Sequence, residues 1–394
     1  MKFGLSQQIT DSTAGTRPYE ELLNEIREIA EFADGHGFDS IWTGEHHFDI
    51  WGRFMNPNPI LLSADLAART RNLRVGISAV IASFWHPMRL AEDICMLDQL
   101  SGGRLEIGFG RGNFGIEAIN LNPDANPNDQ QANMRIFQES VQVVKTAIRD
   151  RIFSFKGDVY QFPRPGFTND RAFSVKDPSY VDPKTNELLK LTIIPDSKQK
   201  PYPPMWAVVS DSAQSLKFAA ENDMGVIMWR HPVRSLKQRL GMYRDFYNQK
   251  HGANLPLGAK AAIVREIFVA DSKAEARRIA EGPMMEMFNV SNWRGPSVFL
   301  NPDEKLPEET EAALRKNLTY DFVERSIFFG SPDEVFEQIK HLYEETNIEL
   351  ILFKNAWPAL SHEHRMRSTR RIATDVMPRL REWHAKRYGA VAAE

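Results

Sequence analysis

The chain has 394 residues, 49 of them Lys or Arg and 52 Asp or Glu, for a formal net charge of −3. That near-balance lacks the clustered basic surplus that a nucleic-acid partner leaves in a sequence. Hydrophobic residues make up 42%, enough for a large core, and the lone cysteine, Cys95, excludes an intramolecular disulfide framework. Such sparse cysteine use suits a reducing compartment. No apolar run long enough for a signal peptide or a membrane span follows Met1, so a cytoplasmic location without a membrane partner is expected.

In chain order the predicted elements alternate. Phe3-Gly4-Leu5 reads as a short strand, and residues 7–17 as a polar loop. Pro18 opens a helix, because a first-turn proline lacks only an N–H that has no intrahelical partner. Leu22, Leu23, Ile26, Ile29, Ala30 and Ala33 form its apolar stripe, and Gly35 and Gly37 end it. A strand at 38–42 is followed by a helix at 61–69. The next strand, 73–81, carries β-branched Val75, Ile77, Val80 and Ile81. A helix at 88–100 closes at Gly102-Gly103. The fourth strand, 105–109, ends in Gly110-Arg111-Gly112, and a long helix spans 133–149.

The second half repeats the alternation. Strands are predicted at 205–209, 225–229, 262–270 and 350–353, and helices at 212–221, 235–251, 272–280 and 362–383. Eight strands alternating with eight helices predict one closed (β/α)8 barrel, a TIM barrel, over residues 1–394. Residues 153–204 and 282–332 do not fit the repeat. Connections this long in a compact domain are usually functional or disordered; as insertions over the C-terminal face of the barrel they would cover its mouth. In the first of them Phe155, Tyr160, Phe162, Phe167, Phe173 and Tyr180 could wall an apolar pocket or simply pin the insertion to the barrel.

Barrel enzymes build their sites at the C-terminal strand ends. The second strand ends in Glu45-His46-His47-Phe48. Neighbours on a strand point to opposite sides, so the two histidines do not converge there. No third ligand stands at a metal-binding spacing, and no metal is expected. Histidine titrates near neutral pH and suits proton exchange with an oxygen-containing intermediate; packing on Phe48 is the plain alternative. In Gly108-Phe109-Gly110-Arg111-Gly112 the glycines permit close approach of a ligand, and the arginine offers a fork of donors to phosphate. The spacing is not a dinucleotide fingerprint, and glycines also end strands merely to turn. Asp211-Ser212-Ala213-Gln214-Ser215 opens a helix, where hydroxyls and free N–H groups can hold an anion or Ser210, Asp211 or Ser212 can act as a plain cap. His86-Pro87 and Trp229-Arg230-His231-Pro232 also stand at mouth positions. Trp229 could stack on an aromatic ligand or belong to the core. His362-Glu363-His364 reads as a solvated helix start, since residues two apart share no helix face.

Several of these segments together resemble bacterial luciferase and its flavin-dependent monooxygenase relatives. The resemblance is carried by Gly37-Phe38-Asp39 through Trp42, Glu45-His46-His47-Phe48, Asn56-Pro57, His86-Pro87 and Ala91-Glu92-Asp93. It continues through Leu97-Asp98-Gln99-Leu100-Ser101, Gly103-Arg104, the glycine–arginine turn at Arg111 and Val209-Ser210-Asp211-Ser212-Ala213. Gly330-Ser331-Pro332-Asp333-Glu334 and Asp375-Val376-Met377-Pro378 extend it to the last helix.

The resemblance implies a (β/α)8 barrel that binds reduced FMN delivered by a separate NAD(P)H-dependent flavin reductase. Reaction with O2 gives a flavin peroxide, which oxygenates a small organic, apolar substrate. By the same likeness His46 is the catalytic histidine, shaped and supported by Glu45 and His47. Arg111, Asp211, Ser212 and Ser215 surround the FMN phosphate. Ser78-Ala79 falls where the family has a non-proline cis bond under the flavin ring, and Met228 or Trp229 lines the ring's other side. A homodimer is implied as well. Bacterial luciferase carries a reactive cysteine where this chain has Gly110, leaving that space to substrate or flavin. Together with the longer 153–204 segment, this points to oxygenation rather than light emission. The family also contains deazaflavin-dependent oxidoreductases that transfer hydride without O2. Its non-catalytic flavin-binding subunits tend to lose the histidine that is present here as His46.

Overall fold

The computed structural model describes residues 1–389 apart from 12, 14, 169–176, 211, 293 and 294. Eight parallel strands pair in chain order: β1 (Lys2–Ser6), β2 (Ser40–Thr43), β3 (Arg74–Ile81), β4 (Leu105–Gly110), β5 (Met205–Val208), β6 (Gly225–Trp229), β7 (Ala261–Val269) and β8 (Leu350–Lys354). The ring closes where β8 returns to β1, with Lys2 opposite Leu350 and Ser6 opposite Lys354. A parallel sheet closed on itself has no exposed edge. All eight expected strands are present, and the fold is a (β/α)8 TIM barrel.

Strand alternation decides what fills the barrel. On β8, Leu350 and Leu352 belong to the inner cluster with Trp42, Trp206, Ile227, Ala262 and Val264. Ile351 and Phe353 point the other way, into the layer under the helices, as a period of two requires. Two tryptophans inside one barrel need space. Trp42 meets Trp206 edge to face at 5.9 Å, and Gly76 provides the room, since a Cβ there would come within 2.1 Å of the Trp42 ring.

The outer layer is built from α1 (Tyr19–Gly35), α2 (Pro59–Arg69), α3 (Pro87–Leu100), α4 (Gln130–Asp150), α5 (Ala213–Glu221) and α6 (Val233–His251), followed by α7 (Lys273–Val290) and α8 (Pro332–Thr346). Here the structure departs from expectation. The helix predicted at 272–280 continues through Pro283 to Val290. Its buried stripe of Ala276, Ala280, Met284, Met287 and Phe288 packs with Phe299, Tyr320 and Trp357. That tertiary burial outweighs the one backbone hydrogen bond a proline removes. The helix that leads into β8 is α8, which begins with a capping box between Ser331 and Glu334. A short helix at Gly115–Leu121 was also not foreseen. The C-terminal run is helical as expected, with a π turn at Ile372–Val376 between His362–Arg371 and Met377–Tyr388.

The two long insertions lie on different parts of the barrel. Residues 153–204 join the end of α4 to the start of β5, so both ends of the segment begin at the N-terminal rim. Ser197 Oγ and Gln199 N–H both donate to Asp98 Oδ2 at 2.7 Å, and Gln199 Nε2 donates to the Leu105 carbonyl at the start of β4. Higher up, Glu139 on α4 accepts from the backbone N–H groups of Asp158, Val159 and Tyr160. The segment between β7 and α8 leaves instead from the C-terminal rim, and it carries a second apolar cluster over the mouth.

Candidate active site

One cavity opens at the C-terminal strand ends, with walls from β1, β3, β4, β5, β6, β7 and β8 and from the segments that follow β1, β2, β4, β5, β6 and β7. Glu45 stands where the chain leaves β2, and its carboxylate is buried. Its two oxygens accept from Ile81 N–H (2.8 Å), from Trp85 Nε1–H (3.1 and 3.0 Å) and from His47 Nε2 (2.9 Å). Its own N–H donates to the Ala79 carbonyl. The residue is therefore a fastener between the ends of β2 and β3.

His46 faces the cavity and His47 does not; the strand ends at Thr43, so the path of the loop, not the expected strand alternation, separates the pair. The His46 ring lies between Phe54, with centroids 4.2 Å apart, and Phe114, edge to face at 5.4 Å. Its Nδ1 stands 3.3 Å from Glu117 Oε1. A carboxylate there keeps the proton on Nδ1 and leaves the Nε2 lone pair for a ligand. The same Glu117 oxygen accepts the His47 backbone N–H at 2.8 Å. Glu117 is buried and comes from the short helix that the sequence pattern did not reveal. Seven residues make only about two turns, too few for a periodic pattern to show. It is the main site residue that sequence reasoning missed.

The floor is formed by β3 and β4. The Ser78–Ala79 peptide is cis, and both residues line the cavity. A Cβ on Gly110 would stand 3.0 Å from both Ala79 Cβ and Ile81 Cδ1. The glycine thus keeps open a space that a side chain would fill. Arg111 follows, with its carbonyl held by Ser83 Oγ and Asn133 Nδ2. Burial lowers the pKa of its guanidinium from the usual arginine value. Ser212 caps α5, its oxygen accepting from Ser215 N–H at 3.3 Å, and its hydroxyl proton remains a donor. Arg111, Ser212 and Ser215 all line the cavity. Asp211 lies outside the described residues.

Met228 and Trp229 line the cavity from β6. Trp229 Nε1 donates to both oxygens of buried Glu266 at 2.9 and 3.1 Å. Arg230 adopts a φ of 74°, uncommon for a residue with a side chain. Its guanidinium lies 3.7 Å from the Trp229 ring centre and 4.5 Å from that of Phe288. Lys354, the last residue of β8, places its ammonium 4.4 Å from the Trp229 ring centre. Neither Arg230 nor Lys354 was singled out from sequence as a site residue. A cation at the end of a barrel strand was the available signal.

Of the residues expected from sequence, Glu45, His46, Ser78, Ala79, Gly110, Arg111, Ser212, Ser215, Met228 and Trp229 meet in this one cavity, while His47 supports it from behind. The aromatics of the first insertion do not. None of its described residues lines the cavity, and Phe162 instead packs edge to face on His86 outside it. The pinning alternative fits them better. Among the described residues no group of three His, Cys, Asp or Glu could hold a metal ion. A flat ligand with a phosphate tail fits this chemistry: glycines and a cis peptide form a floor, and a guanidinium with two hydroxyls stands at one end.

The family model described as luciferase-like monooxygenase matches residues 1–350. The oxygenase component of flavin-dependent trigonelline monooxygenase from Acinetobacter baylyi is 26% identical over 391 residues, spanning 97% of this chain and 96% of that relative. The alkanal monooxygenase alpha chain of the Kryptophanaron alfredi symbiont is 26% identical over 227 residues, 57% of this chain and 54% of its own. Among solved structures, the oxygenating constituent of 3,6-diketocamphane monooxygenase from Pseudomonas putida, in complex with FMN, superposes with a TM-score of 0.73 at 21% identity. The match covers 96% of this chain and 99% of that one. The same fold recurs in an F420-dependent secondary alcohol dehydrogenase, with a TM-score of 0.66 at 15% identity over 96% of this chain and 99% of that one. With the family model covering most of its length, the chain belongs to the luciferase-like monooxygenase family.

Proposed function

We propose that this chain is the oxygenase of a two-component, FMN-dependent monooxygenase acting on a small organic substrate. The observation that carries the reading is His46, backed by Glu117, in the same cavity as Arg111, Ser212 and Ser215. When bound, reduced flavin would supply the two electrons needed to activate O2. The protein's part is to bind, orient and exclude water. Arg111, Ser212 and Ser215 would hold the phosphate as charge-assisted donors. The Ser78–Ala79 peptide and Gly110 would form the bed of the ring, with Met228 and Trp229 on its other side. Phe54 and Phe114 shield His46, whose Nε2 would accept or return a proton beside the reacting oxygen. Glu45 and His47 hold the strand ends that carry these groups.

A relative named as an oxygenase component supports a separate flavin reductase as partner. Leu61 on α2 and Met96 and Leu100 on α3 are large apolar residues left exposed, which supports a homodimer through these helices. No described helix is long and apolar enough to cross a membrane, in keeping with the cytoplasmic location proposed here.

The test is to mix the protein with photoreduced FMN and air-saturated buffer and follow the flavin spectrum. A species distinct from both reduced and oxidised FMN, outlasting free reduced FMN under the same conditions, is expected. Its complete absence across a range of pH would sink the proposal. Hydride transfer on a deazaflavin is the second reading, since a deazaflavin-dependent enzyme shares the fold. Tighter binding of deazaflavin than of FMN would favour it.

A further inference from the structure

Two buried cations line the cavity, and among the described residues neither forms an ion pair, although the buried Glu266 carboxylate pulls on both. Lys354 is buried at the end of β8, yet it lines the cavity. Among the described residues it makes neither a hydrogen bond nor an ion pair; its close neighbour is the face of Trp229 at 4.4 Å. Arg230 lies over the same indole and is equally buried. It donates to Ser291, and no carboxylate pairs with it among the described residues. The nearby carboxylate is Glu266, which accepts Trp229 Nε1–H on both oxygens and keeps its negative charge, so that one carboxylate is shared by two cations. A buried ammonium with three unused donors is costly, and a cavity that keeps one is built to receive an acceptor.

The flavin phosphate does not account for Lys354. Its proposed donors start from Arg111 at the end of β4 and from the N-terminus of α5 beyond β5. In a ring of eight strands, β8 stands directly across from β4. One phosphate cannot serve both ends. Burial, with Arg230 beside it and against the pull of Glu266, pushes the Lys354 ammonium down to about 8, so it is charged at neutral pH and sensitive to what it meets.

We propose that Lys354 and Arg230, set around the face of Trp229, form the anion-binding end of the substrate site, so that the molecule oxygenated is a small, flat organic carboxylate. Its carboxylate meets the Lys354 ammonium, and its far end reaches toward His46 and Phe54. The proposal rests on the oxygenase reading for the identity of the ligand, but the subsite itself can be tested without turnover.

The experiment titrates full-length protein, with and without bound FMN, against benzoate, cyclohexanecarboxylate and hexanoate and against the matching amides. Binding is read by calorimetry and by quenching of tryptophan fluorescence. At least one acid should bind about tenfold or more tighter than its amide, because a charge-assisted bond replaces a neutral one in an enclosed site. Lys354→Met should erase that preference, Lys354→Arg should keep part of it, and neither should change FMN affinity more than about threefold. Equal binding of acids and amides, or no binding of any acid, overturns the proposal; this comparison uses the wild-type protein and does not depend on whether a variant folds. Loss of FMN affinity in Lys354→Met, with acid binding unchanged, also overturns it and assigns the cation to the flavin. Failure of FMN to bind wild type, with acids still preferred over amides, would sink the oxygenase reading and leave the anion subsite standing.

Discussion

One oxygen of Glu117 holds both histidines of the β2 end: it lies 3.3 Å from His46 Nδ1 and 2.8 Å from the His47 backbone nitrogen. The buried carboxylate therefore sets where His46 points and which of its nitrogens carries the proton. Two variants separate these duties. His46→Ala should lower turnover by about 100-fold or more, the usual scale for a lost general acid or base. Glu117→Gln keeps an acceptor for the His47 N–H but loses the charge behind the imidazole, and should cost about tenfold. The informative readout is coupling, the fraction of consumed O2 that ends in product rather than hydrogen peroxide. A merely structural role would reduce the yield of folded enzyme and leave coupling unchanged.

Glu45 leads to a different expectation. Its oxygens satisfy a backbone N–H, an indole N–H and an imidazole, all partly or fully enclosed. Glu45→Ala would leave those donors without an acceptor at the junction of β2 and β3. The expected cost is about 3–5 kcal/mol of stability, from breaking a buried charged network, measured as a fall in denaturation midpoint. Glu45→Gln should lose less, and its folded fraction should retain most of the turnover number. A large fall in turnover with unchanged stability would instead place Glu45 among the groups that touch the reacting molecule.

The strand-end residues were the legible part of the site. Barrel order alone places Glu45, His46, Gly110 and Trp229 at one mouth, because every parallel strand delivers its C-terminus to the same rim; Ser78, inside its strand, came from the family resemblance. What stayed hidden depends on contacts between distant segments. Glu117 sits on a helix too short to leave a periodic signal, and only the fold brings it to His46, 71 residues away. The length of α7 was obscured by Pro283, which reads as a stop when the apolar partners at Phe299 and Trp357 cannot be seen. α8 did leave a signal in Ser331-Pro332-Asp333-Glu334, a capping sequence followed by the stripe Val335, Ile339, Leu342 and Tyr343. Where the first insertion starts and ends could have been worked out as well: a segment lying between a helix and the next strand leaves from the rim opposite the mouth, although Phe162 reaches His86 at the other rim.

The phosphate role proposed for Arg111 can be tested by changing the ligand. FMN and riboflavin share the ring and differ in the phosphate. Arg111→Ala should weaken oxidised FMN binding by about 10- to 100-fold, the worth of a hydrogen bond to a charged group, while riboflavin affinity changes little. Fluorescence titration of both ligands on both proteins gives the double comparison. An equal loss for the two ligands would mean that Arg111 shapes the ring bed rather than gripping the phosphate.

Lys354 also predicts how stability responds to pH. Its folded value is pushed down to about 8 by burial, against an ordinary value of 10.5. Below pH 8 the group is protonated in both states, and the fold carries the full penalty of the buried charge. From pH 8 toward 10.5 the unfolded chain holds more protons than the folded one, so this group makes stability rise with pH, by at most about 1.4 kcal/mol per pH unit. Cys95 acts in the opposite direction above pH 9, since burial raises its thiol to about 12. The buried guanidiniums of Arg230, Arg265 and Arg365, each lowered to about 10 by burial, add to the rise only beyond that. The clean readout is therefore the difference between wild type and Lys354→Met in denaturant unfolding from pH 7 to 9.5. The variant should be the more stable at pH 7, and the gap should narrow as pH climbs past about 8. A bound carboxylate should remove most of the gap at pH 7, because it offsets the charge that the empty cavity leaves unpaired. A gap that already narrows at full slope from pH 7 would mean that the ammonium is neutral in the fold, and the anion subsite would lose its donor; a gap constant with pH would mean that burial leaves the ammonium at its ordinary value, and the unmet charge would be absent.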